Sequence, residues 1–176
     1  MSASVGVNVD LQALQVSVTD VGGPLVVTTA HDTVNGNVSS VEALLADAGA
    51  DGISLREALL AANQSSGADV IRFNLAAGER IIALNSALPT ITDTVTLDAS
   101  SLRGYSGAPL VALDGAGAGL GASGLVLAAG PGSTPSGSVL RGLAVYGFDR
   151  SAIEVQDTVG SVVIAGNHLG VDLGGL

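Results

Sequence analysis

The chain has 176 residues, and its 47% hydrophobic content excludes a disordered polymer, which lacks the apolar area to offset chain entropy. Sixteen acidic residues against six arginines and no lysine give a net charge of −10, leaving no basic patch for nucleic acid or an anionic membrane. With no cysteine there is no disulfide, thiolate metal site or cysteine nucleophile, and no apolar run reaches the ~18 residues of a membrane span.

The start, Met1-Ser2-Ala3-Ser4, lacks the basic region of a classical signal peptide. Val5, Val7 and Val9, then Leu14, Val16 and Val18, alternate up to Gly22-Gly23-Pro24, so residues 1–24 read as an N-terminal extension or an extra cap strand. Leu25 to Thr29 reads as a strand, and Val41 to Ala48 as a short helix ending before Gly49. Ser54-Leu55-Arg56-Glu57 then spells a capping box, in which Ser54 accepts from the backbone N–H three residues on and Glu57 reaches back. Leu55, Ala58, Leu59 and Ala62 follow at helical spacing, which predicts an amphipathic helix over about residues 54–64. Its expected structural residues are Ser54, Leu55, Glu57, Leu59 and Ala62.

After residue 68 only short β runs follow, punctuated by Gly, Asn, Asp, Ser and Pro: 70–73, 80–84, 94–97, 110–113, 124–127, 139–148, 152–155 and 162–169. Ser138-Val139-Leu140 superposes on Ser161-Val162-Val163 at a shift of 23 residues, and Gly147-Phe148-Asp149 on Gly170-Val171-Asp172. Gly142 then faces Ala165, and Tyr146 faces Leu169. Val95 precedes Val139 by 44 residues, which reads as two such turns. A core of small and β-branched aliphatics with only 2% aromatics suits thin stacked layers. These patterns predict an all-β, right-handed parallel β-helix (a solenoid) with an N-terminal capping α-helix. Residues 25–69 form the cap region and 70–176 the rungs. Gly174-Gly175-Leu176 comes directly after a strand, so the stack is expected to continue, or to stack on another molecule, beyond it.

Candidate chemistry is sparse. Asp149 and Asp172, one rung apart, would lie about 4.8 Å from each other along the strand-spacing direction, close enough for a shared Ca²⁺ or a raised carboxyl pKa. The plainer reading is that both are turn aspartates, and Asp98 and Asp114 likewise end strands. His31 and His168 make no HxH or HExxH spacing, and Gly115 to Gly121 lacks the Lys and helix of a phosphate loop. The arginines do not cluster, and Tyr105, Tyr146, Phe73 and Phe148 are too scattered for a sugar platform. No catalytic or cofactor constellation is visible, and Ca²⁺ is the one cofactor considered.

Ser54-Leu55-Arg56-Glu57-Ala58, followed by Asn63 and by Asp69-Val70-Ile71-Arg72-Phe73, resembles the SLREA-type start of parallel β-helix domains in large bacterial secreted or cell-surface proteins. Ala87 to Thr92, Leu113-Asp114-Gly115 and Gly166 to Gly170 are similar to that family's running pattern, so the resemblance spans roughly residues 25–172. The family often has Cys before the Ser, where this chain has Ile53. The resemblance implies an extracellular or surface location and an adhesive or scaffolding role. It supplies no catalytic motif. The expectation is a non-catalytic structural or adhesive module that stacks end to end with itself or with further rungs of a parent chain. The alternative is a fragment of a polysaccharide-active lyase or hydrolase whose active site lies outside this chain.

Overall fold

The computed structural model describes residues 23–176. The extension expected over residues 1–24 therefore lies almost wholly outside the described residues.

Strand β1 (Leu25–Val27) is the first described element and two helices follow, α1 (Val41–Ala46) and α2 (Leu55–Gln64). Ser40 caps α1 by accepting from the Ala43 N–H, and Ser54 caps α2 with both hydrogen bonds of a capping box. Ten short strands come next. They are β2 (Asp69–Phe73), β3 (Ile81–Ala83), β4 (Val95–Asp98), β5 (Val111–Asp114) and β6 (Leu125–Leu127). The remainder are β7 (Val139–Arg141), β8 (Leu143–Tyr146), β9 (Ile153–Val155), β10 (Val163–Ala165) and β11 (His168–Leu169).

The strands sort into three parallel sheets. The first runs β1-β2-β4-β7-β10, the second β3-β5-β8-β11, and the third pairs β6 with β9. Ile91 extends the third sheet by bridging Leu127. Among the described residues none of these sheets closes on itself, and the helices contribute Val41, Leu44, Leu55, Ala58, Leu59, Ala61 and Ala62 to the same buried cluster as the strands. The architecture is mixed α/β, which overturns the expectation of an all-β solenoid. The short β runs pointed to one continuous coil because strand length and turn residues say nothing about how separate sheets divide the strands among themselves.

The expected repeat is corrected too. Val139 pairs with Val163 and Leu140 with Ile164, one residue out of step with the alignment of Val139 on Val162. Val139 pairs directly with Thr96, so β4 and β7 are neighbours and not two turns apart. A one-residue slip moves every side chain to the opposite face, and burial of one face decides the register. The observed pairing aligns Leu25, Ile71, Leu97, Leu140 and Ile164 in one aliphatic ladder across the first sheet. A sequence match that counts identities does not weigh that face.

Two runs read as single strands are broken at glycines. Gly142 (φ +77°) separates β7 from β8, and Gly166 (φ +63°) precedes β11. At Gly142 a Cβ would meet the Ser100 backbone nitrogen at 2.5 Å, so the corner is closed to any side chain. Asn167 fastens the same corner from the next layer, its Oδ1 accepting from the Leu143 N–H (2.9 Å) and its Nδ2 donating to Leu140 O (2.9 Å).

Candidate functional site

The two ends of the sheets differ, and the difference begins with the polar residues of Ser54-Leu55-Arg56-Glu57. Glu57 is fully buried. Its Oε2 accepts from the Ser54 N–H (2.9 Å), and its Oε1 accepts from both the Asn35 and the Gly36 N–H (2.7 Å each). Ser54 Oγ accepts from the Glu57 N–H (3.2 Å). Its single proton has two acceptors in reach, Thr33 O at 2.7 Å and Glu57 Oε2 at 3.0 Å, and the shorter contact is the better bond. Arg56 grips Asp32 with two parallel bonds, Nε to Oδ1 and Nη2 to Oδ2, both 2.8 Å. The Asp32 carboxylate is only 1% exposed and also accepts from the Asn85 N–H. Arg56 further donates to Ala87 O and Ser86 O, just past β3. Arg56 stands within the capping-box run Ser54-Leu55-Arg56-Glu57. Its partner Asp32, distant in the chain, gave no local signal.

Helix α2 thus reaches the first element of every sheet. It packs on β1, its Arg56 holds the segment after β3, and its Asn63 bonds both sides of Ile91 through Thr90 O (2.7 Å) and the Thr92 N–H (2.9 Å). Leu55, Leu59 and Ala62 are buried beneath it.

Among the described residues, nothing equivalent covers the opposite end. The ladder of the first sheet ends at Ile164, 43% exposed. In the second sheet Ile82, Leu113, Val145 and Leu169 align, and Leu169 is 47% exposed. In the third, Leu127 pairs with Val155, which is 40% exposed. The preceding members of each ladder are buried, so these side chains are the last described members of inward-facing columns. Edge strands are commonly protected by Lys, Pro or bulges. Here β9, β10 and β11 carry one formal charge at neutral pH, Glu154, and that is taken up by the Ser123 hydroxyl (2.7 Å) and by Arg150 (4.0 Å).

The chain matches no family model, no curated protein and no solved structure.

The remaining sequence candidates do not converge. Asp149 Oδ2 accepts from the Gly121 N–H (2.6 Å), while Asp172 Oδ1 accepts from the Gly174 and Leu176 N–H groups (2.8 and 3.2 Å). Asp172 closes its own turn, whereas Asp149 holds a loop from the preceding layer, and the alignment that set them one layer apart is the one shown to be out of register. Among the described residues no three of His, Asp and Glu gather as a metal ion would need, and no helix is long and apolar enough to cross a membrane. Asp98 binds Ser100 (2.6 Å) and Arg141 (2.7 Å). Burial on its own would raise that carboxyl, but the Arg141 and Ser100 hydrogen bonds outweigh it and hold the pKa below the ordinary carboxylate range. Asp114 closes a turn on the Ala116 N–H (3.0 Å). Burial, and then the negative charge of Asp114, push the Tyr146 hydroxyl up. Phe148 covers Gly115, where a Cβ would lie 2.5 Å from its ring, and Phe73 is buried in the core.

His31 lines an open groove of about 490 Å³ with Asp32, Thr33, Glu79, Ile81 and Asn85. Its Nδ1 lies 3.0 Å from Asp51 Oδ2, which also accepts from Thr33 Oγ1 (3.1 Å), and Asp51 Oδ1 accepts from Asn35 Nδ2 (2.6 Å). The Asn35 hydrogen bond first, and then that of His31, hold the Asp51 carboxyl below its usual range. The threonine hydroxyl is spent on the carboxylate and not on the imidazole, so the trio is not a nucleophile and its base. It anchors the loop 31–36 over the start of α2.

Proposed function

We propose that the chain is a non-catalytic structural or adhesive module of an extracellular bacterial protein that pairs with a second copy of itself through the uncovered end of its three sheets. The carrying observation is the asymmetry: α2 spans the first elements of all three sheets, while among the described residues all three aliphatic ladders end at Val155, Ile164 and Leu169. An edge strand offers unpaired N–H and C=O groups, and pairing with a second edge satisfies them while removing the ladder ends from water. A second copy supplies the same pattern by twofold symmetry, so the surface is self-complementary. Among the described residues the helix-covered end offers no matching edge, so association closes at a pair instead of growing head to tail. The SLREA-type resemblance of Ser54 to Ala58 supports the extracellular setting.

Molar mass measured by light scattering over a concentration series tests this. The expected result is a concentration-dependent rise from one chain to two, abolished by I164K combined with L169K, with native circular dichroism retained. A wild-type chain that stays monomeric at every concentration overturns the proposal. So does a double variant that folds and still pairs.

A further inference from the structure

Asn35-Gly36 is the dipeptide in which succinimide formation is least hindered, because glycine leaves its amide nitrogen unshielded. In that reaction the Gly36 nitrogen gives up its proton and attacks Asn35 Cγ. The Cγ–Nδ2 bond breaks and ammonia departs. Water then opens the ring to aspartate or isoaspartate. Both nitrogens the reaction uses are committed elsewhere in this fold. The Gly36 N–H donates to the buried Glu57 carboxylate at 2.7 Å, and an amide anion formed there would face a negative charge at contact distance. The carboxamide is held through Nδ2 on Asp51 Oδ1 at 2.6 Å. It also lies against Gly49, where a Cβ would come within contact of Asn35 Oδ1, so the side chain has little room to swing. Gly36 itself is wedged, since a Cβ would meet Asp47 O at 2.8 Å and Leu44 Cδ1 at 2.9 Å.

We propose that Asn35-Gly36 is a latent deamidation site kept silent by the loop–helix cap, and that opening the cap converts it irreversibly into a form that cannot close again. The product explains the one-way character. A carboxylate at position 35 would stand where Nδ2 now contacts Asp51, putting two negative charges at hydrogen-bond distance. An isoaspartyl linkage adds a backbone methylene between the two N–H groups that share Glu57 Oε1. The proposal concerns the helix-covered end and is independent of pairing at the other.

Peptide mapping by mass spectrometry after incubation of the full chain at mildly alkaline pH provides the test, with the same incubation in urea as reference. Deamidation at Asn35 should be at least about tenfold slower in the native chain than in urea, the ratio reporting how rarely the cap opens. D51A, which removes the acceptor that holds the carboxamide, should narrow that ratio while the circular dichroism stays native. N35D should carry the locked-open state, with faster hydrogen exchange at Gly36 and the first turn of α2. Equal rates in native and unfolded chains, or no modification of Asn35 in urea, would overturn the latent site. Unchanged exchange in N35D would overturn the lock.

Discussion

The ladder that crosses the first sheet allows one substitution to be compared at two depths. Leu97 is completely buried between Ile71 and Leu140, whereas Ile164, at the end of the same ladder, is 43% exposed. Truncating either to alanine removes three carbons. At roughly 0.8 kcal/mol per methylene the transfer loss is about 2.4 kcal/mol for a fully buried side chain. At Leu97 the layers on both sides hold the space open, and the cavity adds to the loss, giving about 3–4 kcal/mol for L97A. At Ile164 a little over half of the transfer loss applies and no cavity forms, because water reaches the site, so I164A should cost about 1–1.5 kcal/mol. Urea unfolding of dilute protein, followed by circular dichroism, gives both values from the midpoints provided the slope is unchanged. Equal losses at the two positions would refute the reasoning, since they would mean that the ladder has no depth. A loss at Ile164 that grows with protein concentration would in turn report burial of that residue between two copies.

R56A should cost about 3–5 kcal/mol in the same assay, because it strands the Asp32 carboxylate in a buried place, whereas D32N and R56A combined should cost less than R56A alone. G142A should lose more than about 1 kcal/mol, since its φ of +77° and the 2.5 Å approach to Ser100 N both exclude a methyl group. Acid should weaken the fold through Asp98 and Asp51. Both carboxyls titrate below their unfolded values, so their contribution is complete above about pH 4 and is lost as pH falls through the lower folded values. D98N should be less stable at neutral pH and should lose less between pH 5 and pH 2 than the wild type, as read from urea midpoints. A wild-type acid limb no steeper than that of D98N would contradict the assignment.

Local chemistry was the legible part of this chain. The S-x-x-E pattern at Ser54 and Glu57 sets its own cap, because donors and acceptors lie within four residues of one another. The helical spacing of Leu55, Ala58, Leu59 and Ala62, and short β runs bounded by Gly, Asp and Asn, likewise carry their signal within a few residues. The breaks at Gly142 and Gly166 were harder to read. A glycine inside an apolar run looks the same whether the chain passes straight through or turns a corner, and only the backbone packed against Gly142 distinguishes the two.

Partnership across the chain was decided by tertiary structure alone. No spacing rule joins Arg56 to Asp32, Asn63 to the segment around Ile91, or the two N–H groups of Asn35 and Gly36 to Glu57. Which strands became neighbours, and in which register, was settled by the need to bury one aliphatic face in each of three separate sheets. Sequence identities over residues 138–149 favour the shift of 23, four against two at 24, yet a slip of one residue inverts every buried side chain. The sequence therefore determined where helices, strands and turns begin. Burial, which is a property of all the strands together, determined that they form a mixed α/β fold.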